Sequence, residues 1–172
     1  MTPIQWMILG AAILAVILLL ILALCLIQMR NRKLGIDGKR KVAAILKRFA
    51  GIRSFRVLND LTLKTPKHEV KIDHVLIGFF GILVVNTKNL RGAVYGDGRG
   101  KNWTNVITKK EKEIKSSFPN PLLENQLAVE AIREVLSSNN VYKVSIESYV
   151  VFTRRKTSLY VPKGIAVLSL KD

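Results

Sequence analysis

The run IQWMILGAAILAVILLLILALCLI, residues 4–27, holds no charged side chain and one amide, Gln5. At ~1.5 Å per residue a helix of this length reaches roughly 36 Å, enough to cross a hydrocarbon layer of about 30 Å. Trp6 near one end suits an interfacial anchor. A cleaved leader would need a basic start, a shorter apolar core and small residues before the cut. Here Met1–Pro3 is uncharged, and Leu24 fills the position in LALC, residues 22–25, where lipoprotein processing requires a small residue. The expectation is a retained membrane anchor.

Every charged residue falls after that run, so the net charge of +16 (28 basic, 12 acidic) belongs to residues 30–172. Arg30, Arg32 and Lys33 follow the run directly, with Arg40 and Lys41 soon after. The positive-inside rule then expects the N-terminus outside and the remainder cytoplasmic. The expected division is 1–29 transmembrane helix, 30–36 basic juxtamembrane segment and 37–172 cytoplasmic domain. So strong a positive field attracts polyanions, either nucleic acid or the anionic lipid of the adjoining membrane. The single cysteine, Cys25, lies inside the apolar run. Cysteine catalysis, cysteine zinc sites and disulfides are therefore excluded from the downstream domain.

Periodicity places a helix over 35–51, with Val42, Ala43, Ile45, Leu46 and Phe49 as its apolar face and Gly51 as terminator. FRVLNDLTL, 55–63, reads as a strand, and EVKIDHVLIG and ILVVNTK as a hairpin across GFFG. GAVYGD, 92–97, is a further short strand. The lysine-rich stretch 101–117 is expected to be loop or irregular structure. NPLLENQLAVEAIREVLSS, 120–138, is a second helix capped by Asn120, with Pro121 in its first turn and Leu123, Leu127, Ile132, Val135 and Leu136 buried. SIESYVVFT, 145–153, is another strand, and SLYV and GIAVLSL are weaker ones. This order gives an α/β domain of two or three layers.

With Gly78 opposite Gly81, opposed residues in the hairpin sum to 159, so Asp73 faces Asn86. Lys88, two residues on, shares that face. An acid, an amide and a lysine thus converge inside apolar strands. A carboxylate pair on adjacent strands can hold Mg²⁺, and a neighbouring lysine can stabilise charge developing in phosphodiester cleavage. A plain ion pair between Asp73 and Lys88 is the competing reading.

The pattern D…(D/E)-x-K across a hairpin resembles the PD-(D/E)xK nuclease superfamily. The wider run is more specific: Gly35 and Gly38, Val42 and Leu46, IDH, GILVVNTKNLRG, Trp103, and Asn120-Pro121 leading a helix. In that order, from about Gly35 to Phe152, it resembles the nuclease-related domain (NERD) family. The resemblance implies a PD-(D/E)xK-like α/β core behind a transmembrane helix. It also implies a catalytic set of Asp73, Asn86 and Lys88, and Mg²⁺ or Mn²⁺ only where the site works; no other cofactor is expected.

The departures fall on the chemistry. The family begins GxxGE, where Lys39 stands here; its hairpin usually ends E-T-K, where Asn86-Thr87-Lys88 stands; and its later glutamine and histidine meet Glu124 and Ala128. Counting Asp73, Lys39 and Lys88, the nominal site charge is near +1, which repels a divalent cation. Glu124 is the candidate substitute ligand beside Asp73, while Glu69 lies about 13 Å along the strand.

The expected function is nucleic-acid binding with a degenerate nuclease site, through Lys39, Arg91, Lys101 and Trp103. A working nuclease with relocated ligands and a lipid-docked scaffold are the rivals. His74 points to the opposite sheet face and reads as packed; His68 lies in a loop. GDGRG, 96–100, lacks the strand-to-helix setting of a phosphate cradle and reads as a hairpin turn. The runs 109–115 and 154–156 read as solvated surface.

Overall fold

The computed structural model describes residues 3–33, 35–66 and 69–170, so His68 and the side chain of Trp6 lie outside the described residues. The chain divides into two compact units, Met1–Asp37 and Gly38–Asp172.

In the first unit, helix α1 (Pro3–Lys33) takes up the whole apolar run and continues through Arg30 and Lys33. The basic segment expected at 30–36 is therefore largely the last turn of that helix. The stretch Ile13–Arg30 is long and apolar enough to cross a membrane.

Helix α2 (Ile36–Arg53) passes through Gly51 and ends where Ser54 turns to φ 55°. Its expected apolar face is split. Val42 is buried and Ala43 and Leu46 are half-buried, while Ile45 and Phe49 face solvent; Ala50, outside that expected face, is buried too.

The strands that follow are β1 (Arg56–Lys64), β2 (Glu69–Gly78), β3 (Gly81–Lys88), β4 (Gly92–Tyr95), β5 (Asn102–Lys109) and β6 (Lys112–Pro119). Helix α3 (Pro121–Ser138) precedes β7 (Ile146–Phe152), β8 (Thr157–Tyr160) and β9 (Val167–Ser169). They build two sheets, one ordered β1-β2-β3-β7-β9 and the other β6-β5-β4-β8. Strand β7 pairs parallel with β3, as a crossover through α3 requires.

The stretch 101–117 is not irregular but a β5–β6 hairpin, paired from Asn102↔Pro119 to Lys109↔Lys112. Its turn, Lys110 and Glu111, adopts φ 48° and 62° without the glycine or asparagine that advertises such a turn. Strand β6 lies at a sheet edge and is almost wholly exposed, so its sequence carries no apolar alternation. Lysine on an exposed edge also blocks pairing with another chain.

Helix α3 starts as expected: Asn120 Oδ1 accepts from Leu122 N at 2.9 Å, and Pro121 opens the helix. Its buried face keeps Ile132, with Leu136 packed against the same core, but is otherwise shifted. Asn125, Ala128, Ala131 and Ile132 are buried, whereas Leu127 and Val135 are exposed. Small alanines let the helix axis sit close to the sheet, and that approach selects the face. Ala128 and Ile132 pack with Ile72, Val75, Ile82 and Val84 in one core. The other core, Val94, Trp103, Val150 and Phe152, joins the two sheets.

Candidate functional site: a lysine-bridged cleft

The β2–β3 ladder has the expected register, Gly78↔Gly81 to His74↔Val85, and stops one pair short of Asp73 and Asn86. Strand β2 also changes phase there. Val70, Ile72 and Val75 all pack on the α3-side core, and a step of three breaks a period of two. Strand β1 is distorted at the same level: Asp60 takes φ 51°, and its pairing with Asp73 drops out between Asn59↔His74 and Leu61↔Ile72.

Side chains satisfy what the ladders leave open. Asp73 Oδ2 accepts from Thr87 N at 2.8 Å and from Thr87 Oγ1 at 2.7 Å. The carboxylate thus stands where a strand carbonyl would, and Thr87 had carried no signal in the sequence. On the other side of the sheet His74 Nδ1 meets Asn59 Oδ1 at 2.7 Å. His74 is buried, and burial pushes its pKa down, so it is the packed histidine the sequence suggested.

Asp73 pairs with Lys39 of α2, not with Lys88: Lys39 Nζ lies 2.5 Å from Asp73 Oδ1 and 3.6 Å from Asp60 Oδ1. Burial alone would raise the Asp73 pKa. The Lys39 ammonium and the two Thr87 donors overcome it and hold the carboxyl below its ordinary value. For Lys39, burial would lower the pKa, and hydrogen bonding and charge from Asp73 and Asp60 raise it instead.

Lys88 finds a different acid. Its Nζ donates to Glu124 Oε2 at 2.6 Å, and Asn86 Nδ2 donates to that same oxygen at 2.9 Å. The three polar residues of the hairpin therefore do not form one cluster. They split between two ion pairs, Lys39–Asp73 and Lys88–Glu124, in one cleft of about 440 Å³. The cleft is also lined by Glu69, Lys71 and Thr87. Lys39, Lys71 and Lys88 against Glu69, Asp73 and Glu124 give three positive and three negative charges. The lining is neutral rather than near +1, because Glu124, Glu69 and Lys71 enter the count.

A divalent metal does not fit this donor set. Both Asp73 oxygens and one Glu124 oxygen are already held by lysine, amide or hydroxyl donors, and an ammonium sits on each of these two acids. Among the described residues no group of three or more His, Cys, Asp and Glu could hold a metal ion.

Two glycine and aromatic features fix the frame. A Cβ on Gly38 would lie 2.3 Å from Thr153 Oγ1, so glycine lets the first turn of α2 press on the residue after β7. That approach carries Lys39 to Asp73. Trp103 is 1% exposed, stacked at 3° on Phe152, and its Nε1 donates to Asp97 O at 2.8 Å. An indole so buried offers no face to a base, which removes Trp103 from the binding set. GDGRG is a turn as expected, with Asp97 Oδ1 accepting from Arg99 N and Gly100 N. Arg91 and Lys101 are exposed and lie outside the cleft lining.

The profile of the nuclease-related domain (NERD) matches residues 34–153. An uncharacterized protein of Bacillus anthracis is 35% identical over 99 residues, 57% of this chain and 44% of that protein. The chain thus spans less than half the length of this curated relative. No solved structure matches.

Proposed function

The chain belongs to the nuclease-related domain family, and on that premise we propose that it binds nucleic acid at a membrane without efficient cleavage. The observation that carries this reading is the neutralisation of two of the three cleft acids by lysine, Asp73 by Lys39 and Glu124 by Lys88. Family chemistry requires carboxylates free to hold a metal, and here ammonium groups occupy them. A lysine ammonium has three donors. Lys88 spends one on Glu124, which leaves others for a phosphate oxygen. Lys71 in the cleft and Arg91 and Lys101 outside it are exposed and offer further cations to phosphate. A net charge of +16 supplies the long-range attraction.

Helix α1 anchors this domain, and Arg30, Arg32 and Lys33 after the apolar run favour a cytoplasmic domain. Protease protection of the chain in sealed membranes tests that orientation.

The decisive assay measures binding and cleavage of labelled DNA and RNA by the full chain in detergent, with Mg²⁺ and Mn²⁺. Wild type is compared with Lys39→Glu/Asn86→Glu. The expected result is binding that weakens steeply with salt, no cleavage by wild type, and cleavage by the double variant. Efficient cutting by wild type that disappears in Asp73→Ala overturns the reading in favour of a working nuclease. Failure to retain any nucleic acid at low salt overturns it in favour of a scaffold.

A further inference from the structure

At the closed end of the β2–β3 hairpin the GFFG turn presents two phenylalanines to solvent. Phe79 is 84% exposed and Phe80 is 40% exposed. Phe55 ties them to α2, with ring centroids 5.5 Å from Phe79, 5.3 Å from Phe80 and 5.6 Å from Phe49. On α2 itself Ile45, Phe49 and Ile52 recur at i, i+4 and i+7 and are all exposed, Ile52 at 72%. One apolar surface therefore runs along α2 and onto the turn. Soluble domains rarely leave so continuous a patch uncovered, and such patches mark membrane or protein contact.

The charge around the patch selects the occupant. The segment KRFAGIRSFR, 47–56, holds four cations and no acid. Lys47, Arg48 and Arg56 are exposed. Aromatic side chains between cations suit the interface of an anionic bilayer, where a helix lies with its apolar face among the acyl chains. Only two residues separate Lys33 at the end of α1 from Ile36 at the start of α2. Three Cα steps span at most about 11 Å, so a bilayer crossed by α1 is within reach of α2.

We propose that the exposed stripe of α2 and the Phe79–Phe80 turn together seat on the surface of an anionic bilayer. This rests on reading α1 as the anchor and adds a second, peripheral contact. The turn and the cleft are opposite ends of one hairpin. Asp73 lies five residues from Gly78, about 16 Å along the strand, so seating the turn leaves the Asp73 end uncovered.

The test uses the full chain with Cys25→Ser, which removes its one cysteine, and an environment-sensitive fluorophore on Phe79→Cys. The protein is placed in nanodiscs of phosphatidylcholine, alone or with about 30% phosphatidylserine, containing doxyl-labelled lipid. The expected result is at least about twofold doxyl quenching of the Phe79 label in the anionic discs. Lys47→Gln/Arg48→Gln reduces that quenching severalfold. A label on Gly98→Cys, in an open loop, stays unquenched. A Phe79 label that enters the discs with the protein yet is quenched no more than the Gly98 label overturns the inference and leaves the anchor standing. Shielding of the Phe79 label from aqueous iodide without doxyl quenching overturns it too, and assigns the patch to a protein partner or a second copy. Failure of the chain to enter discs at all removes the anchor and the inference together.

Discussion

Lys39 reaches from the first turn of α2 to Asp73, 2.5 Å away, at the point where both strand ladders around Asp73 break. The ion pair joins a helix to a distorted sheet, so its loss is felt in folding as well as at the cleft.

The pH dependence of stability follows from the two shifts. Asp73 is held below its ordinary 3.8, so its contribution is complete above that value and lost as pH falls through the lowered one. Lys39 is held above its ordinary 10.5, so the same pair contributes fully below 10.5 and weakens as pH rises past the raised value. Thermal unfolding of the detergent-solubilised chain, followed by near-UV circular dichroism, is expected to stay flat with respect to this pair between about pH 4 and 10. Asp73→Asn should cost about 1–3 kcal/mol across that plateau, by leaving the half-buried Lys39 ammonium only the more distant and exposed Asp60. A steep loss of stability through neutral pH that Asp73→Asn abolishes would contradict this assignment.

Gly38→Ala is expected to destabilise by about 1–3 kcal/mol, because the new Cβ meets Thr153 Oγ1. Thr153→Ala removes that oxygen, so the double variant should be less destabilised than the sum of the singles. Strict additivity in denaturant titrations would show that Gly38 is needed for some other reason.

Asn120 both caps α3 and ties the β4–β5 turn. Its Oδ1 accepts from Leu122 N, while its Nδ2 donates to Gly100 O at 2.7 Å and Asp97 O at 3.2 Å. Aspartate is normally as good an N-cap as asparagine. Here Asn120→Asp should still destabilise by about 2 kcal/mol or more, since a buried carboxylate would face two carbonyls. A melting temperature equal to wild type would refute the second role.

Trp103 should report on folding and be silent on binding. In a Trp6→Phe background its emission is expected to be blue-shifted and unchanged by saturating DNA, since the ring lies between the sheets. Trp103→Ala should cost about 3–5 kcal/mol, which equilibrium unfolding would show. DNA-dependent quenching would return the indole to the nucleic-acid surface.

Much of this arrangement was legible from local pattern. The hairpin register followed from Gly78 and Gly81, the start of α3 from Asn120 and Pro121, and the course of α1 from unbroken apolarity. The β5–β6 hairpin was hidden because an exposed edge strand needs no apolar alternation and its turn uses Lys110 and Glu111. The face of α3 was misjudged because the larger residues, Leu127 and Val135, read as core while close packing admitted Ala128 and Ala131.

Sequence alone determined which residues could meet: a register acts between near neighbours, where a period of two and a glycine turn leave one solution. It also fixed a lysine at 39 and an amide at 86 beside the single hairpin acid, Asp73. Only the tertiary structure decided the partners. Asp73 shares its cleft with Lys39, Lys71 and Lys88, and it takes Lys39 because Gly38 lets α2 close on Thr153. Lys88 is then left to Glu124, thirty-six residues away on α3. Which acid each cation meets is set by how closely two helices approach a sheet. That distance depends on side-chain volumes packed from the whole chain, and no local pattern contains it.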